Sequence, residues 1–165
     1  MLAVLSTSAP SAAQEVVEVT PEYRLKAEFI HNFIKFIEWP DGAGGGPLTI
    51  CVAGQNPFGS TLTTQVEGDT VSGRPIALRV ILEPEDGCHV VFVPRTSLGP
   101  QAYLRQAQGT PTLTVGEAPD FVTQGGIIGF SMEAERVRFT IDQAAAEKAG
   151  LKISSRLLTL ARQPE

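Results

Sequence analysis

A long apolar helix near the front of the chain constrains the possible folds more than any other segment. Residues 21–40 read PEYRLKAEFIHNFIKFIEWP, and apolar side chains recur among them at three- and four-residue steps. Thr20 can cap the start of this helix, Pro21 suits its first turn, and Trp39-Pro40 ends it. Charged residues interrupt the apolar stripe too often for a membrane span. The segment therefore predicts an amphipathic helix that packs against a protein core.

The length and charge of the chain limit its organisation and its partners. Its 165 residues suffice for one domain that buries a core without help from a metal. The formal net charge of -5 and the lack of clustered basic residues argue against binding to nucleic acid or to an anionic membrane surface. We expect the folded domain to span residues 20–162.

The first residues of the chain do not have the pattern of a folded element. Residues 1–13 read MLAVLSTSAPSAA, in which an apolar stretch is followed by a small-residue cleavage motif just before Gln14. We interpret this segment as a truncated signal peptide, with a disordered tail as the alternative. Export would give a mature protein that begins near Gln14 and lies outside the cytoplasm.

Strands and helices alternate along the rest of the chain. After a glycine-rich connector at 41–47, the predicted elements are strand 48–53, helix 58–66, strands 75–82 and 89–93, helix 99–108, strand 112–115, a hairpin of 127–133 and 136–141, and helices 142–149 and 154–162. Alternation that ends in a hairpin predicts an α/β fold, a single-domain sandwich of a mixed β-sheet with helices packed on it.

Two cysteines leave two structural possibilities open. Cys51 lies within the predicted strand 48–53, and Cys88 immediately precedes the predicted strand 89–93. If these strands are neighbours, a disulfide is feasible in an oxidising compartment. Otherwise the two thiols are buried apart from each other. Two cysteines without suitably spaced histidine or acidic residues do not form a zinc site.

The candidate catalytic patterns are weak. Residues 54–61 have the glycine spacing of a phosphate-binding P-loop, but Ser60 occupies the position that requires lysine. His31 lies beside the apolar stripe of the first helix, and His89 adjoins Cys88 in a strand, where neighbouring side chains point to opposite faces. We therefore predict no catalytic residue, no metal site and no cofactor. A hydrolase built on a serine is the enzymatic alternative, with candidates Ser60, Ser154 and Ser155.

Four landmarks in this order resemble the YfiR-like family of bacterial periplasmic proteins. They are the first helix with Trp39-Pro40, the turn at 57–59, Gly87-Cys88-His89 before a strand, and a glycine-rich block that starts at Gly125 and continues into the carboxy-terminal helices. The resemblance extends from about Tyr23 to Ala161. Cys51 and Cys88 fall where one disulfide of the family is found. A second, closely spaced cysteine pair of some members is absent, so redox control that depends on that pair is not implied.

The resemblance implies an adaptor rather than an enzyme. A YfiR-like protein inhibits a diguanylate cyclase of the inner membrane by binding its periplasmic domain. Its release raises cyclic di-GMP and promotes biofilm formation. The resemblance further implies an outer-membrane lipoprotein as a second partner and a homodimer. The alternative from another class is a periplasmic protein that binds a small ligand, which an apolar pocket near residues 125–130 would favour.

Seven residues are candidates for contact with a partner or a ligand, because they are aromatic, glycine or cationic positions in the segments of resemblance: Phe29, Phe33, Phe36, Trp39, Gly126, Phe130 and Arg156. Packing in the core explains the phenylalanines of the first helix equally well, and a large exposed apolar patch would distinguish the two interpretations. Arg156 could bind a carboxylate of a partner or one within its own fold.

Overall fold

The computed structural model describes residues 6–9, 18–41, 43, 45–97 and 99–162. The predicted signal peptide or tail at 1–13 lies outside the described residues except for 6–9. The helices are α1 (Pro21–Lys35), α2 (Thr61–Val66), α3 (Pro100–Ala107), α4 (Gln143–Lys148) and α5 (Ser155–Leu160). The strands are β1 (Ile37–Glu38), β2 (Leu48–Ala53), β3 (Thr70–Val71), β4 (Arg74–Ile81), β5 (Val90–Val93), β6 (Leu113–Gly116), β7 (Ile128–Glu133), β8 (Arg136–Ile141) and β9 (Lys152–Ile153).

A mixed sheet of seven strands organises the fold. Its order is β3-β4-β2-β5-β6-β7-β8, in which neighbours from β4 to β7 run parallel and the two outermost pairings are antiparallel. The predicted α/β sandwich with a mixed sheet is therefore confirmed, as is the hairpin of β7 and β8. Three strands of two residues each, β1, β3 and β9, were not predicted.

The first helix is shorter than predicted. Thr20 caps it as expected, since its Oγ1 accepts a hydrogen bond of 3.4 Å from the N–H of Tyr23. The helix ends at Lys35, and the next residues extend to form β1, which pairs with β9 through Ile37 and Ile153. Helical periodicity continued past Lys35, so the prediction that the helix runs to Trp39 was wrong. Pairing with a strand more than a hundred residues away overrides that local pattern.

The two faces of the sheet carry separate hydrophobic clusters. Along β2, Ile50 and Val52 join the larger cluster beneath α1, α2 and α5, whereas Cys51 and Ala53 join the smaller cluster beneath α3. This alternation is what a strand produces when both of its faces are covered. The continuous apolar run of β2 therefore marks a central strand with helices on both sides.

Candidate functional site

The phenylalanines of α1 pack mainly against the β7–β8 hairpin. Phe33 and Phe130 are 0% and 3% exposed, and their ring centroids lie 5.8 Å apart. Phe29 is half-buried, and its ring meets that of Phe139 edge-on at 5.3 Å. Such aromatic pairs add about 0.5–1.5 kcal/mol beyond the area they bury. In this conformation Phe33 and Phe130 are not available to a partner, whereas part of Phe29 is.

Two glycines, Gly116 and Gly126, make room for one aromatic ring. A Cβ atom added to Gly126 would lie 2.3 Å from the ring of Phe121, and one added to Gly116 would lie equally close at 2.3 Å. The ring of Phe121 thus fills the space left by two missing side chains. At Gly129 the close neighbour is the side chain of Val122, at 2.9 Å from an added Cβ.

Three of the seven candidate residues lie in the two segments that the β1–β9 pairing joins. The backbone N–H of Ser154 donates to the carbonyl oxygen of Phe36 over 2.9 Å, which brings the start of α5 beside the end of α1. Trp39 follows β1 directly, and Arg156 lies in the first turn of α5. We call the surface formed by Phe36, Trp39, Arg156 and Leu160 the junction surface. Leu160 belongs to it because it lies one turn after Arg156 on the same side of the helix.

The junction surface contains exposed apolar area and an arginine, Arg156, that makes no ion pair with the described residues. Leu160 is 69% exposed, while Phe36 and Trp39 are half-buried. The buried indole N–H of Trp39 has no acceptor among the described residues. The guanidinium of Arg156 makes no ion pair with any described residue, so the carboxylate within its own fold that the sequence left open is not found there. Aromatic and arginine side chains are the types that contribute most to protein interfaces.

The sequence did not reveal a buried ionic cluster between α1 and the carboxyl ends of β5 and β6. Lys26 is 1% exposed, and its Nζ lies 2.5 Å from Oε1 of Glu117 and 2.5 Å from Oε1 of Glu22. The other oxygen of Glu117 accepts bonds from the Tyr23 hydroxyl at 3.1 Å and from the N–H of Arg95 at 2.8 Å. The Arg95 guanidinium also bonds Glu22. The charges of the two cations, Lys26 and Arg95, are therefore balanced by the two carboxylates, Glu22 and Glu117.

The electrostatics of this cluster indicate a structural anchor. Burial opposes ionisation of Glu22, but hydrogen bonds and charge from Lys26, followed by Arg95, outweigh it and lower the pKa of that carboxyl. Burial, followed by the charge of Glu117, raises the pKa of the Tyr23 hydroxyl. The spacing of Glu22 and Lys26 at i and i+4 was the one sequence signal for the cluster. Glu117, which is 91 residues from Lys26, gave none.

Both histidines have partners within the fold. Nδ1 of His89 accepts the backbone N–H of Thr49 at 3.0 Å, and Nε2 lies 2.8 Å from the carbonyl oxygen of Ala43. An accepting Nδ1 requires a neutral ring, and burial, together with the charge of Arg74, lowers the pKa of His89. His31 lies 2.7 Å from a carboxylate oxygen of Asp69. Both side chains therefore take part in packing and hydrogen bonding.

The disulfide between Cys51 and Cys88 is confirmed. The two sulfurs are bonded at 2.02 Å, and the Cα atoms lie 5.8 Å apart. The bridge joins β2 to the residues that lead into its neighbour β5, which is the adjacency that the sequence left open. The guanidinium of Arg79 lies over both sulfurs, with Nη2 at 3.9 Å from each.

Two cavities open on the α3 side of the sheet. One of about 240 Å³ lies beside the disulfide and is lined in part by Cys88, Tyr103 and Gln106. The other, of about 470 Å³, is a groove between α3 and α4 with Gly125 and Ile127 at its border. The groove lies where a ligand pocket near residues 125–130 was expected. Its size falls within the range of small-molecule sites, which is about 300–1,000 Å³.

The family comparison covers nearly all of the described fold. Residues 23–162 match the family described as YfiR/HmsC-like, a range that includes the junction surface, both cysteines and every member of the ionic cluster except Glu22. No curated protein matches the chain. Among the described residues, no helix is long and apolar enough to cross a membrane, and no three histidine, cysteine or acidic side chains are grouped so that they could hold a metal ion.

Proposed function

The chain belongs to the YfiR/HmsC-like family, and on this premise we propose that it is a non-enzymatic periplasmic regulator that inhibits an inner-membrane diguanylate cyclase. The observation that carries the proposal is the family match, which extends from Tyr23 in α1 to Arg162, two residues after α5. In this proposal the protein binds the periplasmic domain of the cyclase and thereby lowers cyclic di-GMP and biofilm formation.

The junction surface is the part of the molecule that we propose meets the cyclase. It offers exposed Leu160, half-buried Trp39 and the cation of Arg156, which makes no ion pair with the described residues. A partner segment with an apolar side chain and a carboxylate would complement both features. An inhibitor shifts the cyclase only by its higher affinity for the inactive state, so the cyclase must present this segment differently in its two states. An outer-membrane lipoprotein that covers the same surface would release the cyclase.

The proposal predicts the level of cyclic di-GMP in cells. A strain without this gene should contain more cyclic di-GMP than its parent, and the wild-type gene should restore the lower level. Arg156→Glu should fail to restore it although the protein is exported and folded. Arg105→Glu on α3 is the matched control, because Arg105 is also an exposed helical arginine without an ion pair among the described residues, and it lies on the opposite face of the sheet. Unchanged cyclic di-GMP on deletion would contradict the proposal.

The groove between α3 and α4 favours a second candidate function, the binding of a small ligand. Lys148 and Gln108 add polar groups to a lining that is mostly small and apolar. Thermal denaturation in the presence of a panel of amino acids and nucleotides should then reveal a compound that raises the midpoint. Ala144→Trp places a large side chain at the exposed rim and should abolish that rise. If no compound shifts the midpoint, this second candidate loses its support.

A further inference from the structure

The groove between α3 and α4 is open because small residues line both of its walls. α3 contributes Ala107, and α4 contributes Ala144, Ala145 and Ala149. Residues 145 and 149 are four positions apart, so they lie on the same side of α4. Larger side chains at these positions would fill the space between the helices, which instead has a volume of about 470 Å³.

Most polar groups of the lining already have partners within the fold. The hydroxyl of Thr112 donates to the carbonyl oxygen of Cys88 over 3.1 Å. Oγ1 of Thr114 accepts the N–H of Ile127 at 3.0 Å. The carboxylate of Asp142 caps the start of α4. These groups therefore do not require a ligand.

Lys148 is the charged residue of the lining that remains available. It is exposed at the end of α4, and its ammonium makes no ion pair with any described residue. Asp142 lies about 9 Å away along α4, at the rise of about 1.5 Å per residue. Physiological salt screens much of the interaction between exposed charges over that distance. The Lys148 end of the groove therefore favours an anionic group.

The rest of the lining favours an aliphatic ligand. Of the described residues that line the groove, none is aromatic, and only Asp142 and Lys148 are charged. Proteins commonly hold nucleotide bases by stacking them on aromatic side chains, which this groove does not offer. A free amino acid also needs an acceptor for its ammonium group, and the carboxylate of Asp142 is engaged in the cap. An apolar chain with a single anionic group matches the lining better than either.

We infer that this groove binds a medium-chain aliphatic carboxylate. The carboxylate pairs with the ammonium of Lys148, and the chain lies between α3 and α4 against Leu104, Ile127 and the alanines of the lining. This inference rests on the second candidate function, the binding of a small ligand, and names the class of that ligand. Affinity comes mainly from burial of the chain, and the charge orients it.

Titration calorimetry with butyrate, hexanoate, octanoate and decanoate tests the ligand class on the purified protein. Affinity should increase with chain length, by up to about fourfold for each CH₂ group that enters the groove. The uncharged analogue decanol serves as a probe of the chain alone.

Lys148→Met tests the charge, because it keeps an aliphatic side chain and removes the ammonium. An ion pair at an exposed lysine is weak, so decanoate should bind this variant about two- to fivefold less tightly, whereas decanol should bind both proteins equally. Lys152→Met is the matched control and should bind decanoate like the wild type. Lys152 is also exposed without an ion pair among the described residues, and it does not line the groove.

Ala144→Trp tests the location. Ala144 is exposed at the rim, so a large side chain there should obstruct the groove and abolish decanoate binding without unfolding the protein. Gln143→Trp is the matched control, because Gln143 is an exposed neighbour on α4 that does not line the groove. Circular dichroism should show that both variants are folded.

The inference is overturned if decanoate binds no more tightly than butyrate, or if Lys148→Met and Lys152→Met bind decanoate equally. It is also overturned if Ala144→Trp binds decanoate as tightly as Gln143→Trp. If an amino acid or a nucleotide binds and decanoate does not, the groove is a site for another class of ligand. If no compound binds, the second candidate function fails as well. None of these results bears on the proposed cyclase partner, because the titrations use the purified protein alone.

Discussion

Gly126 shows how one missing side chain determines local packing. Gly126→Ala would place a methyl group 2.3 Å from the Phe121 ring and 2.8 Å from the carbonyl oxygen of the same residue. The backbone cannot give way as a flexible side chain can, so we expect a loss of about 1–3 kcal/mol in the free energy of unfolding. Urea denaturation of the variant and the wild type measures this difference.

Gly45→Ala is the control for the same change in chain entropy. Nothing lies within 4 Å of an added Cβ at Gly45, so the free energy of unfolding should stay the same or rise slightly. Adding Phe121→Leu to Gly126→Ala should recover part of the loss, because the smaller side chain leaves room for the methyl group. A Gly126→Ala protein as stable as the Gly45→Ala protein would contradict the packing argument.

His89 makes stability depend on pH. Burial lowers the pKa of this ring in the folded protein from its ordinary value of 6.5, so the unfolded chain binds more protons in the interval below 6.5. The contribution of His89 is therefore complete above pH 6.5 and is lost as the pH falls towards the folded-state pKa. His89→Gln removes the titrating group, and urea midpoints from pH 7.5 to pH 5 should fall less steeply for it than for the wild type. Equal slopes would show that the ring does not titrate differently on unfolding.

The helix α1 is held to the sheet by more than its apolar side. Lys26→Met would leave the carboxylate of Glu117, whose side chain is 2% exposed, buried without its main cation. Removal of one partner from a buried pair costs about 3–5 kcal/mol, and we expect a loss of that size in urea denaturation. Adding Glu117→Leu should recover much of it, because a well-packed apolar pair can replace a buried ion pair.

The pair of Arg162 and Glu133 is the exposed counterpart. Its side chains are 50% and 45% exposed, so Arg162→Met should cost less than about 1 kcal/mol. A similar cost for Lys26→Met would mean that water reaches Glu117 and that the cluster does not anchor α1.

The disulfide covalently links β2 to the segment that leads into β5. Cys51 and Cys88 close a loop with a sequence separation of 37 residues. Loop-closure entropy assigns such a bridge about 4 kcal/mol of stabilisation through the unfolded state. The double variant Cys51→Ala/Cys88→Ala should therefore unfold at lower urea, and reducing agent should shift the wild type in the same direction without shifting the variant. If reducing agent did not lower the urea midpoint of the wild type, the assignment of this stabilisation to the disulfide would be contradicted.

Elements with strong local periodicity could be predicted from the sequence, whereas short pairings between distant segments could not. The continuous apolar runs of β2 and β5 identified central strands, and Ser154 identified the start of α5, where its Oγ accepts the N–H of Arg156 at 3.3 Å. By contrast, β1 and β9 have two residues each and are strands only because they pair with each other. Two residues carry no periodicity, so only the tertiary structure defines these strands.

At the scale of the whole molecule, the same distinction applies to the candidate site. Trp39 and Arg156 became candidates because they lie in two different landmarks of the family resemblance. In the structure, the segments that carry them meet at the β1–β9 pairing. The sequence did not select Leu160, because exposure of a leucine depends on what the rest of the fold covers. The ionic cluster was missed for a related reason: a lysine in an apolar helix does not reveal the carboxylate 91 residues away that neutralises it.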